Sequence, residues 1–413
     1  HYVGESGTAI VGVANPINFI VMGFLIGSAY GFGVIMARSF GAGDFKEFRK
    51  YFFNSIILSI IIGIVFTIVL SLVNSYLLKL ISTPAELFDG AHKFLFILYI
   101  GCASSLIYNL FAATLRSIGN SFTPVLFLLL SVVINAILAY VFVAIFSWGV
   151  EGSAVATIIA QAASALCCYI YINRKYPQIR LTKQDAVLDI SHMKNLILQG
   201  APMGMQFSFT GIGLIVVQKF LNGFGTNYIA GYSVGVRIQN IVSYVYVALG
   251  TAISTFISQN IGAKRMYRIP KAVKYTTLIT IGCAIFSTIV IRFFGPNFIS
   301  LFTTAPNEEL THATVTYFNN VTLAYIPLGL IILYRSALQG YGFPITAMMA
   351  GIIELINRVV IVIFLTDSFG FLAICLADSV NWVITAVFLL TVYFIATRSH
   401  KNKNKEFYIE PSM

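Results

Sequence analysis

The feature that most constrains this chain is a series of eleven apolar runs, each long enough to cross a bilayer as a helix. A helix rises about 1.5 Å per residue, so a hydrocarbon core of roughly 30 Å takes about 20 apolar residues. Such runs lie near 10–37, 52–78, 93–115, 122–147, 153–173, 196–221, 229–258, 272–294, 313–335, 344–366 and 370–396. Backbone polar groups find no water in hydrocarbon, so each run is expected to be helical from end to end. Gly31, Gly33 and Pro202 fall inside these runs. They are tolerated where neighbouring helices come close and satisfy the backbone.

Composition agrees. Hydrophobic residues make up 58% of the 413 residues and charged residues 10%, against about 25% charged in a soluble domain. A globule of this size cannot enclose that much apolar surface, so lipid is the solvent for most of it. The net charge of +11 would suggest nucleic acid in a soluble protein. Here the basic residues sit between apolar runs, so they report topology and not a nucleic-acid partner. Cys102, Cys167, Cys168, Cys283 and Cys375 all lie in apolar runs and form no CxxC, which leaves no disulfide framework and no metal site. The histidines, at positions 1, 92, 192, 312 and 400, fall at loops and ends. A membrane-embedded enzyme needs convergent ligands inside its spans, so no enzyme is expected. No GxxxxGK[ST] segment is present for ATP. The start of the chain has no signal-peptide pattern.

The charges orient the bundle. One set of alternate loops carries Arg38, Lys46, Arg49 and Lys50, then Arg116, then Arg174 to Lys194, then Lys264 to Lys274, then Arg335. The tail adds Arg398, Lys401, Lys403 and Lys405, whereas the opposite loops carry Lys79, Lys93 and Arg292. Basic residues collect on the cytoplasmic side, which places the first set and the C-terminus there and residue 1 outside. Eleven spans with an external start are best explained by a lost first helix.

An internal repeat gives the same answer. Arg38–Ala42 matches Gln259–Ala263; Leu80–Pro84 matches Leu301–Pro306; Leu115–Gly119 matches Leu338–Gly342; Asn135 matches Asn357; and Gly149–Gly152 matches Gly370–Ala373. The pairs keep their order and are each about 220 residues apart. Parallel repeats of this kind are a transporter architecture. The second copy has a helix, 196–221, before the equivalent of the first run, so six plus six helices are expected in full length and five plus six here. The expected fold is an all-α polytopic membrane protein with two parallel-repeat helical lobes around a central cleft. An N-lobe covers 1–173, a basic cytoplasmic linker 174–195, a C-lobe 196–397 and a basic cytoplasmic tail 398–413.

The segments VGVANPI (11–17), FGAGD (40–44), LRSIGNSFTP (115–124), GVEGSAVATIIAQ (149–161), GAPMGMQ (200–206), SQNIGAKRMYRI (258–269) and LQGYG (338–342) together resemble the multidrug and toxic compound extrusion (MATE) family, within the multidrug/oligosaccharidyl-lipid/polysaccharide flippase superfamily. The QNIGAK segment looks most like bacterial members of the DinF-like type. The resemblance implies a twelve-helix inner-membrane protein, working as a monomer without a cofactor. It also implies export of cationic or lipophilic drug-like molecules in exchange for sodium ions or protons. A lipid-linked sugar or lipid flippase of the same superfamily is the alternative.

The resemblance also implies ion-coupling polar groups in the N-lobe. Asn135 and Thr157 match that pattern, but the acidic position of the fifth helix is Ala139. The family's first-helix Asp would precede residue 1. In the other bacterial branch the acidic positions correspond to Thr210 and Leu328 here.

Ionisable residues inside a bilayer are costly and mark function. In the C-lobe these are Glu354 and Asp378, with Arg358 four residues after Glu354 on the same helix face. Glu354, Asn357 and Asp378 form a candidate site for a proton or cation. Alternatively, Glu354 and Arg358 are a structural pair that ties helices together. Arg237 lies deep in its span, where it could meet an anionic substrate group or pair with Asp378. Gln206, Gln218, Asn222 and Tyr244 are candidates to line the cleft, with packing and interhelical hydrogen bonds as the other reading.

Overall fold

The computed structural model describes residues 4–81, 83–299 and 307–409. Thirteen α-helices fill them: α1 Gly4–Gly41, α2 Phe45–Leu80, α3 Ala85–Ile100, α4 Cys102–Ser117, α5 Phe122–Tyr140, α6 Gly149–Lys175, α7 Ile190–Leu221, α8 Thr226–Gly262, α9 Arg268–Ile299, α10 Glu308–Val321, α11 Tyr325–Tyr341, α12 Pro344–Phe369 and α13 Phe371–Lys403. No strand occurs among the described residues. Ten continuous helical segments are long and apolar enough to span a membrane, and α3 with α4 makes an eleventh. All eleven expected runs are therefore helical spans.

The third span of the first repeat and its counterpart in the second are each interrupted. Hydropathy gives no sign of the first break, which lies within apolar sequence, whereas the second follows Asn319 and Asn320. In the first repeat α3 and α4 meet at Gly101 and bend by 46°. In the second, α10 and α11 are joined by a tight helical turn at Thr322–Ala324 and count as one span.

The chain divides into two compact units, His1–Ser208 and Phe209–Met413, with the division inside α7. In the first unit Leu25, Leu95, Tyr99 and Leu106 centre one apolar cluster, and Phe32, Met36, Phe48, Phe52 and Leu115 another. In the second a single cluster runs through Tyr246, Tyr317, Tyr325, Leu333 and Leu389.

The repeat is written into the backbone. Three positions with left-handed φ recur at equivalent places: Gly43 (71°) and Lys264 (56°), Gly119 (89°) and Gly342 (92°), and Gly149 (60°) and Gly370 (54°). L-residues resist this conformation, so glycine holds most such sites. Lys264 adopts it despite its side chain. Gly342 caps α11 in this way, and Pro344 then starts α12. α2 ends at Leu80, and Pro84 leads into α3, whereas the expected counterpart of this element, Leu301–Pro306, lies outside the described residues.

One topological assignment is corrected. Arg335 was expected in a loop, but it sits within α11, and its side chain is only 12% exposed. The expected linker, 174–195, is shorter than that: 174–175 belong to α6 and 190–195 to α7, and the irregular part between them has one tight turn, Pro177–Ile179, and is bonded to Arg49 near the start of α2. Its Ile179 is fully buried.

Candidate functional site

In the second unit, α12 carries Glu354, Asn357 and Arg358 at i, i+3 and i+4, so all three share one helix face. Glu354 and Arg358 are each 4% exposed, as is Asp378 on α13. Arg358 stands between the two acids. Its Nε donates to Asp378 Oδ1 at 3.1 Å, and its Nη1 lies 3.8 Å from Glu354 Oε2. The other oxygen of Glu354 is paired with Arg335 of α11. Thr210 Oγ1 of α7 donates to Glu354 Oε2 at 3.4 Å. Asn357 Nδ2 donates to Asn381 Oδ1 at 3.3 Å, and Thr385 Oγ1 donates to the same oxygen at 3.2 Å. Asn381 and Thr385 are fully buried. Three spans thus converge on two carboxylates and two guanidiniums whose charges cancel.

The cluster brings together the three expected C-lobe residues and adds others. Arg335 was missed because it stands near the end of an apolar run, where a cation reads as a loop marker. Asn381 and Thr385 carry no charge to draw attention. Asp378 pairs with Arg358 and not with Arg237, which corrects one of the two expectations for Arg237. The signal was adjacency: Arg358 and Asp378 lie on the two spans joined by the tight turn at Gly370, which pack against each other as an antiparallel pair.

In the first unit, Asn135 Nδ2 of α5 donates to Thr157 Oγ1 of α6 at 3.0 Å. Thr157 in turn donates to Ser153 O at 2.9 Å. These two expected residues meet, but no charge accompanies them. The cleft candidates are scattered. Gln206 is buried at 4% exposure. Gln218 Nε2 donates to Asn222 Oδ1 at 2.7 Å, one turn on along the end of α7. Arg237 is exposed on α8, and no ion pair engages it among the described residues. Tyr244 is 70% exposed on the same helix. Among the described residues, no group of three or more His, Cys, Asp or Glu side chains could hold a metal ion.

The MatE family model matches residues 1–141 and 202–364, which include α1 to α5 of the first repeat and, of the charge cluster, Arg335, Glu354 and Arg358. The chain belongs to the MatE family. A relative from Bacillus subtilis, named a probable multidrug resistance protein YpnP, is 25% identical over 311 residues, covering 74% of this chain and 68% of its own length. A protein from Shewanella oneidensis named an FAD transporter is 22% identical over 365 residues, covering 86% of this chain and 79% of its own. The fold is that of a solved multidrug resistance MATE transporter in an outward-facing conformation. The TM-score is 0.87 at 19% identity, over 98% of this chain and 90% of that one. A MatE protein is a transporter and not an enzyme, so the charge cluster is weighed as a transport element.

Proposed function

We propose that this MatE protein is a secondary active antiporter of the bacterial inner membrane. It exports cationic or lipophilic small molecules, as a monomer with a cytoplasmic C-terminus, in exchange for sodium ions or protons. The observation that carries the coupling is the neutral four-charge cluster Arg335–Glu354–Arg358–Asp378. Buried charges inside a membrane span are costly and are kept where they serve transport. Both carboxylates are already held by guanidiniums. A sodium ion would have to displace an arginine from its oxygen ligands. A proton needs only one carboxylate oxygen, and its arrival releases the paired arginine. That release loosens the tie between α11, α12 and α13, which links protonation to a change in helix packing. The cluster therefore favours the proton.

The test is efflux of a cationic dye from proteoliposomes under separate sodium and proton gradients. A proton gradient should drive transport, and Glu354→Gln and Asp378→Asn should each uncouple it. Full, proton-driven activity in both variants would sink the site.

The flippase alternative asks for free basic side chains facing a phosphate. Arg335 and Arg358 are engaged, so it loses their support. A narrower second reading, an anionic cargo, rests on Arg237, which is exposed and in no ion pair among the described residues, and on the relative named an FAD transporter. Loss of anion transport in Arg237→Gln with dye efflux intact would favour it.

A further inference from the structure

Each repeat builds a groove between the same three spans. In the first unit a groove of about 460 Å³ lies between α2, α4 and α6, and Leu181 of the linker closes one end. Phe53, Phe111 and Tyr169 form part of its wall, and no charged residue lines it among the described residues. In the second unit a groove of about 580 Å³ lies between α9, α11 and α13, with Tyr408 of the tail at the corresponding end. Its wall holds three rings packed edge to face, Tyr334 and Tyr341 around Tyr393, with centroids 4.9 and 6.2 Å apart. It differs from its twin in one respect. Lys274, Arg398 and Lys401 gather where α9 begins and α13 ends.

All three cations are exposed, and none is in an ion pair among the described residues. Glu406, on the neighbouring turn, does not neutralise them. Arg398 and Lys401 also suit the negative end of the α13 dipole, but Lys274 sits in the second turn of α9, where the dipole offers nothing. Cations at one mouth of an apolar, aromatic-walled groove match a molecule with an anionic head and a hydrocarbon body. Basic pockets between spans on the cytoplasmic side bind anionic lipid headgroups, and buried methylenes of an acyl chain add further affinity.

We propose that the α9–α11–α13 groove is a binding site for one anionic phospholipid, with its phosphate on Lys274, Arg398 and Lys401 and an acyl chain along Tyr334 and Tyr393. The site rests on the membrane-spanning reading but not on the efflux reading, because it involves none of the coupling cluster.

The experiment is native mass spectrometry of the full chain titrated with phosphatidylglycerol and with phosphatidylcholine of the same acyl chains. One phosphatidylglycerol should be retained per chain, in preference to phosphatidylcholine. The triple variant K274E/R398E/K401E should bind it on the order of a hundredfold more weakly, given the attraction of each basic side chain for anionic lipid. Leu278→Trp keeps every cation but fills the groove, and it should also lose the lipid. Reversing three charges elsewhere, at Arg174, Lys175 and Lys183, should leave binding unchanged. Equal retention of phosphatidylcholine would overturn the proposal, as would unaltered binding by either groove variant. So would an equal loss in the distant charge reversal, or displacement of the lipid by an equal concentration of glycerol phosphate, which would mark a soluble-anion site. Each variant is first checked for the wild-type melting temperature and elution volume, and the altered side chains are all exposed.

Discussion

The contact between the last two spans of each repeat is built twice and filled differently. In the first unit, α5 and α6 meet through Asn135 and Thr157, one neutral hydrogen bond of 3.0 Å. In the second, α12 and α13 meet through Asn357 and Asn381 at 3.3 Å, and beside them through Arg358 and Asp378 at 3.1 Å. Asparagine occupies the matched position in both. What separates them is the next residue along, Ala136 in one and Arg358 in the other, and the acid across from it. The repeat fixes where two helices touch, and the second copy adds the charges of Glu354, Arg358 and Asp378 beside that contact. The family resemblance points to coupling groups in the first half, yet the charges lie in the second.

The sharpest way to break this comparison is Arg358→Ala. It leaves Asp378 without a guanidinium and with only the Tyr232 hydroxyl, and Glu354 with Arg335 and Thr210. Breaking a buried pair from one side costs about 3–5 kcal/mol, because the remaining charge is stranded. Thermal unfolding in detergent should show a loss of that order, and the neutral double variant Arg358→Leu with Asp378→Leu should recover most of it. If Arg358→Ala melts like wild type, the cluster is not holding these helices together.

The span count was legible because bilayer thickness fixes the length of each apolar run, and no tertiary contact is needed to read it. The repeat was legible because its left-handed turns demand particular residues, as at Gly119 and Gly342. The bend at Gly101 was not, since Ile100, Gly101 and Cys102 continue an unbroken apolar run, and hydropathy does not register direction. The cluster was half legible. Glu354 and Asp378 stood out as charges inside spans, whereas Arg335 was read as a loop residue and Arg237 as a possible partner. Both errors concern pairing between helices, which depends on rotation about each helix axis, and the sequence states that only weakly.

Helix spacing offers a second contrast. A Cβ on Gly63 of α2 would lie 2.5 Å from Ala103 Cα, so α2 and α4 touch backbone to backbone there. On α9, the equivalent span, Gly282 faces open space. Gly63→Ala should therefore cost about 1–3 kcal/mol through overpacking. Gly282→Ala should be neutral or stabilising by roughly 0.5–1 kcal/mol, from the lower entropy cost of alanine. Parallel melts of the two variants decide it, and equal effects would remove the contrast. Next in size is Asn135→Ala. Interhelical hydrogen bonds in membranes average about 0.6 kcal/mol and reach about 1.7, so its melting shift should be a small fraction of that for Arg358→Ala. A comparable shift would mean that the neutral contact matters as much as the charged one.

The smallest expected effect separates the two chain segments that pack beside the grooves. The linker of the first unit is held by a carboxylate. Asp185 accepts from Arg49 Nε at 2.8 Å, from Thr182 N at 2.9 Å and from Thr182 Oγ1 at 2.6 Å. Burial pushes the Asp185 carboxyl up, but the Thr182 hydrogen bonds and the Arg49 guanidinium outweigh it and hold it below the ordinary 3.8. A carboxylate depressed in the folded state contributes its stability above the unfolded value and loses it as pH falls through the folded value. The tail of the second unit is held instead by Tyr267 N donating to Phe407 O at 3.1 Å, by Lys264 over the Phe407 ring at 5.4 Å and by Tyr408 OH 3.2 Å from His400 Nδ1. None of these contacts involves a carboxylate. Protection of 176–189 from pepsin should hold steady above about pH 4 and fall below 3.8, while protection of 404–409 stays level. Arg49→Gln removes one cause of the depression, so it should move the linker transition upward toward 3.8 with no change in the global melt. Equal loss of protection in 176–189 and 404–409, or an unmoved transition in Arg49→Gln, would take the control away from Asp185.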